Sequence, residues 1–307
     1  MNASGPASVT YEELEQLAKS AAGAIVTKSM THCPRVGNPE PRLKMHLDNK
    51  LGSLNSMGLN NLGYLEYARL IPKLKAAFAA KPIIASISSA PCEHHLSLEE
   101  QYLEAAETLQ RSGADMLEIN LSTPNLTGIP IAMDPENIKK ILSPLKKTIK
   151  IPLGVKLPPY NNTLALFEEV ASLLMELEID VAVTMNSEPN AMDIDLKTRT
   201  KVIKPRHGYG GLGGPCILPI ALAEVHRFYT FFKKHGSPIA VWGCGGITHA
   251  EDAIKHFLAG ASAIQIGTVL LWHGPEIFEA VWQGVKAWLD ENGYSGIDEI
   301  IGVVKEL

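Results

Sequence analysis

Seven short apolar runs recur along this chain, and a longer stretch of helical periodicity separates most of them from the next. They cover Gly23 to Thr31 (GAIVTKSMT), Pro82 to Ser88 (PIIASIS), Met116 to Ser122 (MLEINLS), Pro152 to Pro158 (PLGVKLP), Val181 to Ser187 (VAVTMNS), Ile239 to Gly246, and Ala263 to Thr268 (AIQIGT). The runs are continuous rather than alternating, which predicts parallel strands covered on both faces, and parallel neighbours require the crossover helices that lie between them. Helix start signals agree: Thr10-x-x-Glu13 and Ser97-x-x-Glu100 read as capping boxes, and Asp134-Pro135 as an N-cap followed by a first-turn proline. Gly113 and Gly260 mark helix ends just before the next strand. An eighth strand has only Met1 to Gly5 (MNASG) to draw on, so the expected architecture is an α/β (β/α)8 TIM barrel whose first strand is truncated. With no repeat, low-complexity tract or linker, residues 1–307 read as a single domain.

At 307 residues and 46% hydrophobic content the chain has ample material for one large core. A formal charge of -5 supplies no basic field for nucleic acid or an acidic membrane surface, so neither partner is expected. The N-terminus shows no cationic stretch followed by an apolar run, and no window reaches the length of a membrane span, which predicts a cytoplasmic protein. Cys33, Cys92, Cys216 and Cys244 are scattered without a C-x-x-C pair and read as free thiols, with no iron-sulfur cluster or zinc site suggested. The adjacent His94-His95 does not resemble a ligand set, and no metal is expected.

The chemistry concentrates at strand ends. Trp242-Gly243-Cys244-Gly245-Gly246-Ile247 follows one strand and Gly267-Thr268 another, where barrels of this kind bind phosphate through closely approaching backbone N–H groups. A third cluster, Gly208 to Gly214, reads as a loop able to close over the same group. These glycines indicate a phosphate without naming its carrier; a phosphosugar isomerase or an indole-forming barrel could share them. Asn55, Asn120, Asn125 and Asn186 lie at or just beyond strand ends, and such carboxamides suit a planar, uncharged ligand with alternating N–H and C=O edges, such as a pyrimidinedione. Lys28 and Lys156 fall inside apolar strand sequence, where an ammonium is costly without an anionic partner; one suits a substrate carboxylate, the other the charge on a reduced flavin.

The ordered motifs NASG, TKSMT, GNPEPR, NSMGLNN, NLSTPN, LGVKLPPY, MNS, VIKPRHGYGGLGG, GCGGI and QIGT resemble the class 1A dihydroorotate dehydrogenases over nearly the whole chain. That resemblance implies an FMN cofactor surrounded by Ala3, Ser4, Lys28, Ser29, Asn120, Lys156, Met185, Gly214, Gly245, Gly246, Gly267 and Thr268. It also implies that Lys28, Asn55, Met57, Gly58, Leu59, Asn120, Asn125, Asn186 and Ser187 hold dihydroorotate. In the family a base removes the C5 proton, a hydride leaves C6 for the flavin, and fumarate reoxidises the flavin from the same site. The resemblance further implies a cytosolic homodimer.

Three departures qualify the implication. The family's N-L-S-C-P-N carries a cysteine base, whereas this chain reads Asn120-Leu121-Ser122-Thr123-Pro124-Asn125, leaving the Thr123 hydroxyl as the candidate base, with Lys156 the other expected catalytic residue. Either Thr123 works as a hydroxyl base, which is the favoured reading, or the chain is an FMN- or pyrimidine-binding barrel with altered or lost activity; a flavin oxidoreductase for another cyclic amide is a further alternative. Cys92 and Cys244 follow other strands and make poor substitutes. Ile129 replaces a common lysine in the loop after Thr123, and family members usually carry about a strand and a short hairpin ahead of NASG.

Overall fold

A computed structural model describes residues 1–48, 51–92, 96–123, 129–161 and 163–307. In chain order the strands and helices are α1 (Tyr11–Lys19), β1 (Ile25–Val26), β2 (Leu43–Lys44), β3 (Ser53–Asn55), α2 (Tyr64–Ala77), β4 (Ile83–Ile87), α3 (Leu98–Arg111), β5 (Met116–Asn120), α4 (Pro135–Thr148), β6 (Leu153–Lys156) and α5 (Leu164–Glu176). There follow β7 (Val181–Thr184), β8 (Glu188–Ala191), β9 (Ile194–Asp195), β10 (Thr200–Lys201), β11 (Gly210–Gly213), α6 (Leu218–Lys234), β12 (Ala240–Cys244), α7 (Ala250–Ala259), β13 (Ala263–Gln265), α8 (Thr268–His273) and α9 (Ile277–Glu291). The expected helix signals are in place: Thr10 and Ser97 form capping boxes, Asp134 caps α4 ahead of Pro135, and Gly260 ends α7 in the left-handed conformation.

All seven apolar runs enter one parallel sheet in the order β1-β4-β5-β6-β7-β12-β13. The eighth position is filled by the first three residues. Asn2 bridges Ile266 in parallel, with the Ala3 N–H donating to the Ile266 carbonyl at 2.8 Å and the Ile266 N–H to that of Met1 at 3.0 Å. Toward β1 the Asn2 side chain acts in place of backbone: its Nδ2 donates to the Val26 carbonyl at 2.6 Å, and its Oδ1 accepts from the Val26 N–H at 2.9 Å. A carboxamide carries one acceptor and a donor, as a peptide unit does, so a single residue closes the barrel.

Side-chain alternation then sorts the strand residues. One set, including Ile25, Ile83, Ala85, Ile87, Leu117, Ile119 and Val155, packs under the surrounding helices, while Val26, Ile84, Met116, Val181 and Val183 form a separate cluster that plugs the barrel. Two residues further along the plug strands the same face turns polar at Ser86 and Glu118, so the floor of the site rests on an apolar plug.

Sequence periodicity does not reveal the strands above the mouth. β2, β3, β11 and β8 make a four-stranded sheet, and β9 pairs with β10. The glycine cluster expected as a loop is largely β11, antiparallel to both β3 and β8. Its glycines allow tight packing: a Cβ at Gly210 would sit 2.5 Å from the Asn55 carbonyl oxygen.

The expectation of four free thiols is corrected for two of them, since Cys33 and Cys92 are joined as a disulfide with Cα atoms 6.1 Å apart. Met30 bridges Ile87, so the extensions of β1 and β4 run side by side and bring together residues 59 apart in sequence. Cys216 and Cys244 are free. Among the described residues no helix is long and apolar enough to cross a membrane.

Candidate active site

A cavity of about 640 Å³ opens at the C-terminal ends of the barrel strands and beneath the mouth sheet. Its wall holds Ala3, Ser4, Lys28, Asn55, Met57, Gly58, Leu59, Asn120, Thr123, Lys156, Met185, Asn186, Ser187, Gly214, Gly245, Gly246, Gly267 and Thr268. Two expected residues are not in that set. Ser29 is buried behind Asn120, and Asn125 lies outside the described residues, as do Pro124 and the His94-His95 pair.

The floor is a continuous run of hydrogen bonds. The Asn186 Nδ2 donates to Ser122 Oγ at 2.8 Å, and Ser122 Oγ donates to Asn120 Oδ1 at 2.6 Å. Asn120 Nδ2 donates to Ser29 Oγ at 2.8 Å, Ser29 and Ser86 share a hydroxyl bond of 3.0 Å, and Ser86 Oγ donates to Glu118 Oε1 at 2.9 Å. From the other side Lys156 Nζ donates to Gln265 Oε1 at 2.5 Å, while Gln265 Nε2 donates to Glu118 Oε2 at 2.6 Å. Because Ser86 gives its proton to a carboxylate, Ser29 must donate to Ser86, and every bond in the run points toward Glu118. The fully buried Glu118 carboxylate thereby fixes the amide orientations of Asn120 and Gln265, and a buried network with its partners satisfied is rigid. Asn120 is left with one N–H to offer the cavity.

Two ammonium groups face this cavity. Lys156 is buried with Gln265 as its partner, and Lys28 is buried with its Nζ 3.2 Å from the Ser4 carbonyl. Neither lies in an ion pair within 4.0 Å among the described residues. Burial pushes the Lys28 pKa down to about 8, partly opposed by the negative charge of Glu118. A carboxylate brought directly against the Lys28 Nζ would reverse that shift.

The glycine loop after β12 is set by its surroundings. Gly246 has φ +78°, and a Cβ there would lie 2.7 Å from the backbone nitrogen of Leu218 at the start of α6. Gly214, φ +99°, faces the Gly52 Cα at 2.8 Å in the same sense. Beneath the loop the fully buried His256 of α7 places Nε2 2.9 Å from the Gly245 carbonyl oxygen. A carbonyl only accepts, so Nε2 carries the proton. Desolvation lowers the His256 pKa to about 4, and the ring is neutral at ordinary pH. Across the cavity Thr268 Oγ1 and Ser53 Oγ are 3.0 Å apart, tying the QIGT segment to the mouth sheet.

Glu118, Gln265, Ser86, Ser122 and His256 are absent from the sequence-derived set. Glu118 and Gln265 carry the signal that singled out Lys28 and Lys156, a strongly polar residue inside an apolar strand run. His256 sits in an ordinary amphipathic helix and offers no such signal.

A family model described as dihydroorotate dehydrogenase matches residues 1–289. The chain is 40% identical over 309 residues to a dihydroorotate dehydrogenase (fumarate) of Trypanosoma cruzi, covering 100% of this chain and 94% of that protein. It is 40% identical over 311 residues to dihydroorotate dehydrogenase A (fumarate) of Lactococcus lactis subsp. lactis, with 100% and 95% covered. A ligand-free DHODH crystal structure from Eimeria tenella superposes with TM-score 0.83 at 21% identity, covering 100% of this chain and 88% of that one, and shares the barrel fold. The family-model match over residues 1–289 and the 40% identity across the whole chain place this protein in the dihydroorotate dehydrogenase family.

Proposed function

We propose that the protein oxidises (S)-dihydroorotate to orotate in pyrimidine biosynthesis, with FMN as resident cofactor and fumarate as electron acceptor, as a cytosolic homodimer. The observation that carries the reading is one cavity whose wall combines two buried ammonium groups with the carboxamides of Asn55, Asn120 and Asn186. Relatives named for the fumarate-linked reaction at 40% identity support the choice of substrate and acceptor.

The residues present fit FMN. The cavity falls in the size range of cofactor sites, and Gly214, Gly245 and Gly246 line it in positive-φ backbone packed so closely on Gly52, Ala221 and Leu218 that no side chain fits, which leaves bare backbone of the kind that takes a phosphate. Ala3, Ser4, Asn120, Met185, Gly267 and Thr268 would complete its surround, and Lys156 would face the edge that gains charge on reduction. When bound, FMN supplies the acceptor for the hydride that leaves C6. Lys28 holds the substrate carboxylate, while Asn55, Asn120 and Asn186 read the N–H and C=O edges of the ring. Thr123 accepts the C5 proton as its own hydroxyl proton passes to water. Its hydroxyl is a far weaker acid than the thiol at about 8.5 that the family motif carries, so turnover rises with pH through the neutral range. A dicarboxylate acceptor would use the same lysine and carboxamides, and the adjoining Ile129, 62% exposed, adds no charge to attract it.

The test is anaerobic mixing of the flavin-loaded protein with dihydroorotate, then fumarate. The flavin absorbance should bleach and then recover. Binding of orotate without bleaching by dihydroorotate would instead identify a pyrimidine-binding barrel that has lost its chemistry through the change at Thr123.

A further inference from the structure

We propose that His32, Cys33 and Cys92, with both cysteines in the thiol form, make a zinc site on the rim of the barrel mouth. The ligand atoms of these three residues all lie within 4.8 Å of one another. Tetrahedral zinc with Zn–S of about 2.3 Å and Zn–N of about 2.0 Å sets its ligand atoms roughly 3.5–3.8 Å apart, so the two sulfurs, bonded to each other in the disulfide, would have to separate on reduction to admit the ion. Two sulfurs and an imidazole form a soft-to-borderline donor set, which selects zinc over the oxygen-seeking calcium and magnesium. The charges also balance, since two thiolates neutralise one divalent ion.

A disulfide accounts for the two cysteines. It does not account for the way the imidazole beside them is held. His32 Nε2 lies 3.0 Å from Glu104 Oε2, and the other oxygen of that carboxylate accepts from the Tyr64 hydroxyl at 2.7 Å. The His32 and Tyr64 rings are 4.8 Å apart, which limits rotation of the imidazole. A histidine ligand binds metal through one nitrogen and gives the N–H of the other to a carboxylate, which fixes the tautomer and makes the ligating nitrogen more basic. α2 supplies Tyr64, α3 supplies Glu104, and the paired extensions of β1 and β4 supply the sulfurs, so four segments converge on the cluster. All three ligands are partly exposed, and the three protein ligands found among the described residues fill three of the four tetrahedral positions. The bound ion would brace one wall of the cavity, since Arg35, Ala90 and Pro91, close along the chain to the two cysteines, line it.

The test uses the full-length protein, reduced, stripped of metal by dialysis and titrated with Zn²⁺ and separately with Co²⁺. One equivalent should bind, with thiolate-to-metal charge-transfer absorption in the Co²⁺ form. Cys33→Ser should remove that absorption. Glu104→Gln, at a half-exposed carboxylate that tolerates substitution, should keep the absorption and weaken metal binding by about 10–100-fold. Circular dichroism of each variant separates loss of metal from loss of fold. Reduced, folded protein that binds less than a tenth of an equivalent would overturn the site. So would a Co²⁺ spectrum without thiolate bands, or two cysteines that stay unreactive under reducing conditions, which would mark a permanent disulfide. None of these outcomes depends on dihydroorotate turnover.

Discussion

Lys28 offers the sharpest quantitative handle on the site. Its ammonium is buried beside the Ser4 carbonyl, and desolvation holds its pKa at about 8 rather than the ordinary 10.5. A bound carboxylate restores a counter-charge and raises that pKa again, so binding takes up a proton wherever the free site has lost one. Above pH 8 the affinity for orotate should therefore fall by about tenfold for each pH unit, giving roughly tenfold weaker binding at pH 9 than at pH 7, or about 1.4 kcal/mol. Lys28→Met removes a charge-assisted hydrogen bond of about 1.5–3 kcal/mol, so its affinity at pH 7 should drop by about ten- to a hundredfold and show no slope. Lys28→Arg stays charged throughout and should bind with a flat profile at intermediate strength. The assay is titration of flavin-loaded protein with orotate at pH 7, 8 and 9, read from the perturbed flavin spectrum. Equal wild-type Kd values at pH 7 and 9, or a slope that survives in Lys28→Met, would refute the assignment of the carboxylate to Lys28.

Thr123→Ala should lower kcat by about 10²–10⁴-fold, and Thr123→Cys should give a pH–rate profile that levels near a thiol pKa of about 8.5; full turnover by the alanine variant would remove Thr123 from the chemistry. His256 has a folded pKa of about 4 against 6.5 when free, so the unfolded chain binds the proton first as the solution is acidified. Stability should thus be lost progressively from pH 6.5 down to 4, by up to about 3 kcal/mol, and melting curves of His256→Gln, which keeps an N–H for the Gly245 carbonyl, should be flatter over that window. Glu118→Gln removes the anion on which the floor network converges, and breaking such a buried charge set costs about 3–5 kcal/mol. It should lower Tm and shift the flavin midpoint potential to more positive values in a spectroelectrochemical titration, because the Lys156 charge is then less compensated. An unchanged potential would confine Glu118 to a structural role.

Much of this molecule is legible in its sequence because the relevant signals are local. Continuous apolar runs separated by capped helices reflect burial on both faces of a parallel strand, and they suffice for the barrel. Lys28 and Lys156 stand out because an ammonium inside such a run needs an anion, and Gly245-Gly246 stands out because only residues without Cβ fit there. What the tertiary structure decided is which distant residues meet. Gln265 reaches Glu118 across 147 positions and Lys156 across 109, Cys33 meets Cys92 across 59, and Asn2 finds Val26 and Ile266 to close the barrel. The mouth strands β2, β3, β8 and β11 are two to four residues long, too short for periodicity to show, and β11 carries glycine where a strand ordinarily carries side chains. Local sequence sets whether a residue is buried. Its partner is set by strand order and register, which the packing of the whole barrel determines.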